Sequence, residues 1–371
     1  MTCKALYIHI PFCKSKCIYC DFNSYSKMEN LMEQYSLALA KEINNLPHEL
    51  FDTIYIGGGT PTYLSLSSLN IIFEEIDKLN KAKDIEFTIE ANPGTVDEAK
   101  LEFLIRKGVN RISIGVQAFQ NNLLKTLGRI HNTQEALDSF HMARRAGFNN
   151  INIDLMFGIP KQTSSNWKES LDILVALKPE HVSCYSLIIE EETPLYNIYN
   201  EGKLLLPKEE EERAMYHYAI DFLKSCGYNQ YEISNFASNG FESIHNIKYW
   251  ELEEYYGCGA GAHSYINKIR YMNYEKIEEY INAKESKIIL NKNSELDEIE
   301  EFMFMGLRKT TGISKAAFTN KFNLNIEYYY KDVIKKHVKN KLLHEDSNRI
   351  YLSNMGMDLS NIVMVDFLLS K

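Results

Sequence analysis

Six times before residue 227 a short apolar, β-branched run gives way to a longer amphipathic stretch, and this alternation restricts the chain more than any other feature. The runs Ala5–Ile10, Asp52–Ile56, Ile85–Glu90, Arg111–Val116, Ile151–Met156 and His181–Ile188 read as strands. Between and after them, Glu29–Asn45, Ser67–Asn80, Val96–Lys107, Asn121–Leu127 with Thr133–Ala146, Ser164–Leu177 and Lys208–Cys226 read as helices. Tyr228–Ile233 is a candidate seventh strand. Strands separated by whole helices pair in parallel through right-handed crossovers, so the expected class is α/β. A partial (β/α)6-type barrel accounts for the repeat, with a doubly wound open sheet as the rival. In a barrel, functional residues fall just after the strands, at their C-terminal ends.

Beyond residue 234 the rhythm changes. Residues 235–274, rich in Tyr, Asn, Gly and His without a clear period, are expected to form a connector between a barrel (1–234) and a C-terminal unit (275–371). That unit reads as helices Lys276–Ala283, Glu295–Lys309, Ser314–Phe322 and Ile326–Lys339, followed by strands Lys341–His344 and Arg349–Leu352 around a polar turn. Helices followed by a short hairpin suggest a winged-helix-like domain. Such units often bind DNA, but the local charges here are mixed, and a packing or lid role is preferred.

Charge supports that preference. With 41 basic against 50 acidic residues the net charge is −9, which argues against general nucleic-acid binding. The start of the chain has neither a secretory h-region nor a cleavage site, no run approaches a membrane span, and seven cysteines suit a reducing compartment, so the expected location is cytoplasmic.

Cys13, Cys17 and Cys20 lie within eight residues just after the first strand, whereas Cys3, Cys184, Cys226 and Cys258 are scattered. A C-x₃-C-x₂-C loop is short enough to wrap one compact metal centre, and three ligands leave one position of a [4Fe–4S] cluster open for a substrate or cofactor. The alternative is zinc, completed by His9 or a distant cysteine. A disulfide fits poorly, since it leaves one of the three thiols over.

The segment Tyr7-Ile8-His9-Ile10-Pro11-Phe12-Cys13, with Cys17, Cys20, Asp21 and Phe22, resembles the opening of the radical S-adenosylmethionine (SAM) superfamily. The likeness is to the branch that contains the oxygen-independent coproporphyrinogen III oxidase and a heme chaperone, and it extends over nearly the whole chain. It implies that the three cysteines hold a [4Fe–4S] cluster whose open iron is chelated by the amino and carboxylate groups of SAM, with the cofactor carrying the radical chemistry.

Further motifs fall where a barrel would place them. Gly57-Gly58-Gly59-Thr60-Pro61 follows the second strand, and its glycines permit unusual backbone angles and let main-chain N–H groups approach a ligand carboxylate or amine. Glu90 ends the third strand, where an acidic residue can accept ribose hydroxyls. The resemblance implies that Tyr7, Tyr19, Gly58, Gly59, Thr60, Glu90, Gln117, Arg129, Asp154 and Ile188 line the SAM site, which in the oxidase takes two molecules. Arg129 and Asp154 suit the carboxylate and amine of an amino acid.

Two departures point away from the oxidase. It carries a fourth cysteine two positions after the third, where Phe22 stands here, and a leading segment for which Cys13 lies too near the start. The run His245-Asn246-Ile247-Lys248-Tyr249-Trp250 also fits the chaperone's H-N-x-x-Y-W signature. Imidazole is a common heme ligand, and aromatic rings can border the macrocycle, so His245 is the expected heme ligand. The implied function is a heme chaperone that binds the cluster, SAM and heme and passes heme to apo-hemoproteins, with peripheral membrane contact left open. The alternative is the oxidase itself, with His9 as the residue to contact substrate.

Overall fold

A computed structural model describes residues 3–283 and 287–369. Six strands, β1 (Lys4–Ile10), β2 (Leu50–Gly58), β3 (Asn80–Ala91), β4 (Arg111–Gln117), β5 (Ile151–Phe157) and β6 (His181–Ser186), pair in parallel and in chain order. The helices α1 (Met32–Asn44), α2 (Leu66–Lys78), α3 (Glu98–Arg106), α4 (Asn121–Thr126), α5 (Thr133–Ala146) and α6 (Ser164–Leu177) run between them, followed by α7 (Pro194–Asn200) and α8 (Glu209–Ser225). Several begin as their sequences dictate, α3 under the Asp97 side chain and α5 under a capping box of Asn132 and Glu135. A doubly wound sheet reverses its strand order at a switch point. This order never reverses, so the sheet winds one way, as a partial barrel.

The two faces of the barrel strands differ sharply. Leu6, Ile8, Ile54, Ile56, Phe87, Ile89, Ile112, Ile114, Ile151, Ile153 and Val182 form one face and share a hydrophobic core with Tyr35 and Leu39 of α1 and Trp167 of α6. The intervening residues, among them Thr53, Glu86, Thr88, Arg111, Ser113, Asn152, His181 and Ser183, are polar and also buried. Period-two alternation therefore separates an apolar layer facing helices from a polar barrel interior, not from solvent. Buried polar groups need partners. Asn152 Nδ2 donates to Ser113 Oγ at 2.8 Å, Asp154 Oδ1 at 2.7 Å and Ser183 Oγ at 3.0 Å, and His181 bridges Asn152 Oδ1 and Tyr231 Oη.

Three boundaries differ from expectation. The chain passes from Lys78 into β3 at Asn80 without a loop, β6 stops at Ser186, and α7 is an additional helix. Of the candidate seventh strand only β7 (Asn229–Gln230) forms, pairing antiparallel with β8 (Asn235–Ala237), which in turn runs antiparallel to β6. Only a short turn separates β7 from β8, too little for a parallel crossover.

Residues 235–274 contribute more structure than their composition suggests. They form α9 (Ile244–Trp250), β9 (Tyr255–Cys258), β10 (His263–Ile266) and β11 (Ile269–Asn273). β9 lies parallel against the other edge of β1, pairing Ala5 with Tyr255 through Ile8 with Cys258. The β10–β11 turn places Asn267 and Lys268 at positive φ, as a tight two-residue hairpin requires. After α10 (Ile277–Asn282), β12 (Lys287–Lys292) adds an outer strand.

The C-terminal unit has its own core of Ile299, Met303, Phe318, Tyr330, Ile334, Leu343, Ile350 and Phe367. It comprises α11 (Glu295–Gly306), β13 (Ile313–Ser314), α12 (Lys315–Phe322), α13 (Glu327–Lys339), β14 (Leu343–Glu345), β15 (Arg349–Leu352), α14 (Asn354–Asp358) and α15 (Ser360–Val365). Its three antiparallel strands beside helices are winged-helix-like. Main-chain bonds dock it on the barrel: Ile233 N–H donates to Arg308 O at 3.2 Å and Thr310 N–H to Tyr231 O at 3.0 Å. Among the described residues no helix is long and apolar enough to cross a membrane.

One carboxylate ties α9 to the barrel. Buried Glu86 of β3 accepts from Ser243 Oγ at 3.3 Å and from the N–H groups of Ile244 and His245, both at 2.9 Å, satisfying donors at the helix start. Glu86→Ala leaves these donors buried and is expected to cost about 2 kcal/mol of stability. Urea denaturation measures it, and an unchanged midpoint would mean the helix start is satisfied otherwise.

Candidate functional site at the barrel mouth

The three clustered cysteines leave the C-terminal end of β1 in a loop stitched at its base. Cys13 N–H donates to Tyr25 O at 2.8 Å and Tyr25 N–H to Pro11 O at 2.7 Å, while Ile18 N–H reaches across to Leu127 O at 3.2 Å. Cys13, Cys17 and Cys20 are all free and line one cavity of about 370 Å³ at the strand ends. Burial pushes the Cys13 and Cys20 thiols up, so they stay protonated until a metal displaces the proton.

The donor set decides between the two metal readings. Zinc needs ligands converging on one ion, yet among the described residues no group of three His, Cys, Asp or Glu side chains converges in that way. His9, the nominated extra ligand, has Nδ1 2.8 Å from Tyr7 Oη and Nε2 2.8 Å from Asn23 O, so both ring nitrogens are occupied. Three separate free thiols around one cavity fit an iron–sulfur cluster, in which each cysteine takes a different iron.

The glycine loop is fixed by contact. A Cβ on Gly59 would lie 2.7 Å from Phe12 O and 3.0 Å from Cys13 Sγ, and one on Gly58, at φ +113°, would lie 2.6 Å from the His9 ring. Only glycine lets β2 approach the cysteine loop this closely. The expectation that its N–H groups face a ligand needs correction. Gly58 N–H donates to Glu90 at 3.1 Å, Gly59 N–H to Ile10 O and Thr60 N–H to Phe12 O, both at 2.8 Å, so those donors are spent within the fold.

Of the ten residues expected around SAM, eight line the cavity with the cysteines: Tyr19, Gly58, Gly59, Glu90, Gln117, Arg129, Asp154 and Ile188. Arg129 gives Nη1 to Asn92 Oδ1 at 2.7 Å and Nη2 to Tyr19 Oη at 2.8 Å, and its buried Nε has no partner. Burial works against this charge, but the hydrogen bond to Tyr19 favours it, and the guanidinium stays protonated as arginine does across the ordinary pH range. Asp154 is the converse, a half-buried carboxylate bonded to Ser113 and Asn152 and raised by desolvation. One cavity thus presents a cation and a carboxylate, each bonded to neutral neighbours, as the two ends of an amino acid require. Glu90 accepts from Tyr55 Oη at 2.7 Å as well as from Gly58, and burial pushes its carboxyl up to about 7. Gln117 closes β4 at φ +68°.

The remaining candidates lie elsewhere. Tyr7 and His9 bond to each other behind the glycine loop, and Thr60 braces the site by donating to Cys13 Sγ at 3.7 Å and accepting from Asn92 at 2.7 Å. His245, expected to ligate heme, is 1% exposed, with Nδ1 2.9 Å from Thr53 Oγ1 and Nε2 2.9 Å from Tyr249 Oη. Burial, with Arg111 and Lys248 nearby, lowers its pKa to about 3, and in this conformation neither nitrogen is presented to an iron.

Sequence reasoning missed Asn92, which holds Arg129 and Thr60 together, and the interior residues Arg111 and Ser113. Asn92 stands two positions after Glu90, while Arg111 is announced only by the period-two pattern of β4. A second cavity, of about 670 Å³, also went unforeseen; Tyr185, Ser186 and Ile188 line both. Its wall combines β6, α8, α9 and the C-terminal unit, which no local pattern reveals.

Residues 7–174 match the Radical SAM superfamily and residues 293–359 the HemN C-terminal domain. The protein named heme chaperone HemW of Bacillus subtilis (strain 168) is 41% identical over 375 residues, covering 98% of this chain and 99% of that one. Its namesake in Lactococcus lactis subsp. lactis (strain IL1403) is 42% identical over 366 residues, covering 98% and 97%. Among solved structures, coproporphyrinogen III oxidase (HemN) from Escherichia coli superposes with a TM-score of 0.86 at 22% identity, covering 100% of this chain and 91% of that one, which is a likeness of fold.

A ligand that bonded to the raised Glu90 carboxyl would bind in a pH-dependent way. Below about pH 7 the group is neutral and loses acceptor capacity; above it the carboxylate can take ribose hydroxyls. SAM affinity, measured by calorimetry, is expected to fall by up to about tenfold per pH unit below 7. Glu90→Gln should bind more weakly at high pH and with a flat profile.

Proposed function

Because this chain belongs to the HemW family of the radical SAM superfamily, we propose that it is a heme chaperone, which binds a [4Fe–4S] cluster, SAM and heme and passes heme to apo-hemoproteins. The observation that carries this reading is the 41–42% identity to proteins of that name across nearly the full length of both chains. When bound, the cluster supplies an electron and an open iron for SAM's amino and carboxylate groups.

In this reading Cys13, Cys17 and Cys20 hold the cluster. Arg129 takes the SAM carboxylate, Asp154 attracts its amino group, and Glu90 accepts the ribose hydroxyls. Tyr19 positions Arg129 and covers the cavity, Gln117 and Ile188 border it, and Gly58 and Gly59 allow the close approach of β2. Tyr7 and Thr60 act from behind, through His9 and Cys13. The free cysteines suit a reducing compartment, and the reading places the protein in the cytoplasm.

The oxidase reading, in which His9 would meet a porphyrinogen, is not favoured. His9 is buried behind Gly58 with both nitrogens bonded, and Phe22, at the position of the oxidase's fourth cysteine, stands 63% exposed on the cavity wall. The test runs under anaerobic conditions with cluster-reconstituted protein, reductant and SAM. Heme-loaded protein is expected to transfer heme to an apo-hemoprotein and to leave coproporphyrinogen III unchanged; decarboxylation at an enzymatic rate would reverse the assignment. Cys17→Ala is expected to lose the brown iron–sulfur absorbance, and its retention would remove the cluster assignment.

A further inference from the structure

Arg129 and Cys13, on opposite sides of the cysteine cavity, are joined by a row of three hydrogen bonds. Arg129 Nη1 donates to Asn92 Oδ1 at 2.7 Å, Asn92 Nδ2 to Thr60 Oγ1 at 2.7 Å, and Thr60 Oγ1 to Cys13 Sγ at 3.7 Å. The first member fixes the direction of the row. A guanidinium has no acceptor, so it meets the amide oxygen of Asn92, which turns the amide NH₂ toward Thr60. A hydroxyl that accepts there keeps its single proton for the cysteine sulfur. The row is also held in place. Asn92 O accepts from Thr95 N–H at 3.1 Å and from Thr95 Oγ1 at 2.7 Å, closing a turn after β3. A Cβ on Gly115 would stand 2.8 Å from Asn92 Oδ1, so β4 leaves room for the amide. Thr60 and Cys13 are both buried. Away from water, hydrogen bonds in series polarise one another, and a charge at one end strengthens the bond at the other.

We propose that Asn92 and Thr60 are positioning residues that carry the pull of the Arg129 charge to the Cys13 sulfur, and so raise the reduction potential of the cluster that this cysteine holds. The proposal rests on the cluster assignment above. Reduction adds one electron, taken from a one-electron donor, and part of the added negative charge falls on the cysteine sulfurs. A hydrogen bond to such a sulfur stabilises the reduced form more than the oxidised one, which is one of the means by which a protein sets a cluster potential. No bond in the row breaks, and each proton stays on its own donor. Thr60 makes the contact with the sulfur, and Asn92 acts through Thr60, orienting its hydroxyl and linking it to the guanidinium.

The test is an anaerobic redox titration of full-length, cluster-reconstituted protein without SAM, poised with dithionite and read by the electron paramagnetic resonance of the reduced cluster. Thr60→Val keeps the shape of the side chain and loses the hydroxyl. At the wild-type midpoint its ratio of reduced to oxidised cluster is expected to fall about tenfold, which for one electron is a midpoint lower by about 59 mV. Thr60→Ser keeps the hydroxyl and is expected to stay near wild type; a shift as large as that of Thr60→Val would assign the effect to packing and overturn the proposal. Asn92→Leu leaves Thr60 in place but cuts it from Arg129, and the ratio is expected to fall by a smaller factor. Because Asn92 acts through Thr60, adding Asn92→Leu to Thr60→Val is expected to move the midpoint no further, whereas shifts that add would make the two residues independent and overturn the row. Should Thr60→Val fail to assemble a cluster, Asn92→Leu, which leaves the cysteine loop untouched, decides alone: a lowered midpoint supports the proposal and an unchanged one overturns it. Wild type that assembles no cluster would overturn the cluster assignment itself, whereas a cluster whose midpoint ignores both substitutions would overturn only this role for Asn92 and Thr60.

Discussion

The site depends on β1 being gripped from both sides. It pairs in parallel with β2 on one flank and β9 on the other, and at and just beyond its end the grip tightens through backbone contacts too close for a side chain. A Cβ on Gly59 would strike Phe12 O, and one on Gly259 would come within 2.4 Å of His9 O. The chain leaving β1 therefore has one course, over the mouth of the barrel, and the three cysteines inherit their places from it. The cysteine loop is pinned by the regular sheet below it, so its geometry does not rely on the loop's own composition.

The interior then supplies electrostatics that no surface site could. Arg129, Asp154 and Glu90 are half-buried at the strand ends, which strengthens each interaction they make and penalises any charge left without a partner. The fold offsets this with neutral donors and acceptors: Asn92 and Tyr19 for Arg129, Ser113 and Asn152 for Asp154, Tyr55 and Gly58 for Glu90. None of these neighbours cancels the charge.

The barrel and the cysteine loop were legible in the sequence because both are written locally. Six strand–helix alternations specify a parallel sheet, and three thiols within eight residues specify one centre. What was not legible depends on long-range pairing. Tyr255–Cys258 is too short and too rich in Tyr and Gly to announce a strand, and it becomes β9 only because β1 offers an open edge. Tyr228–Ile233 has strand-like composition, yet its hairpin with Asn235–Ala237 allows only antiparallel pairing. Gly58 and Gly59 line the cavity, but their N–H groups bond within the fold, since whether an N–H is free depends on which backbone packs against it. His245 shows the same limit: its residue type suits a metal, while its burial is set by Glu86, Thr53 and Tyr55 on other strands.

Strand β3 connects the two halves of the site. Glu86, which caps the helix carrying the H-N-x-x-Y-W segment, and Glu90, which faces the cysteine cavity, lie four residues apart on the same side of one strand. At about 3.3 Å per residue this sets them roughly 13 Å apart. A strand in mid-sheet neither stretches nor bends appreciably, so it works as a ruler between the two halves. Loop lengths at the mouth can drift among relatives without altering that spacing, whereas a one-residue insertion in β3 would turn one of the two carboxylates away from the barrel and uncouple them.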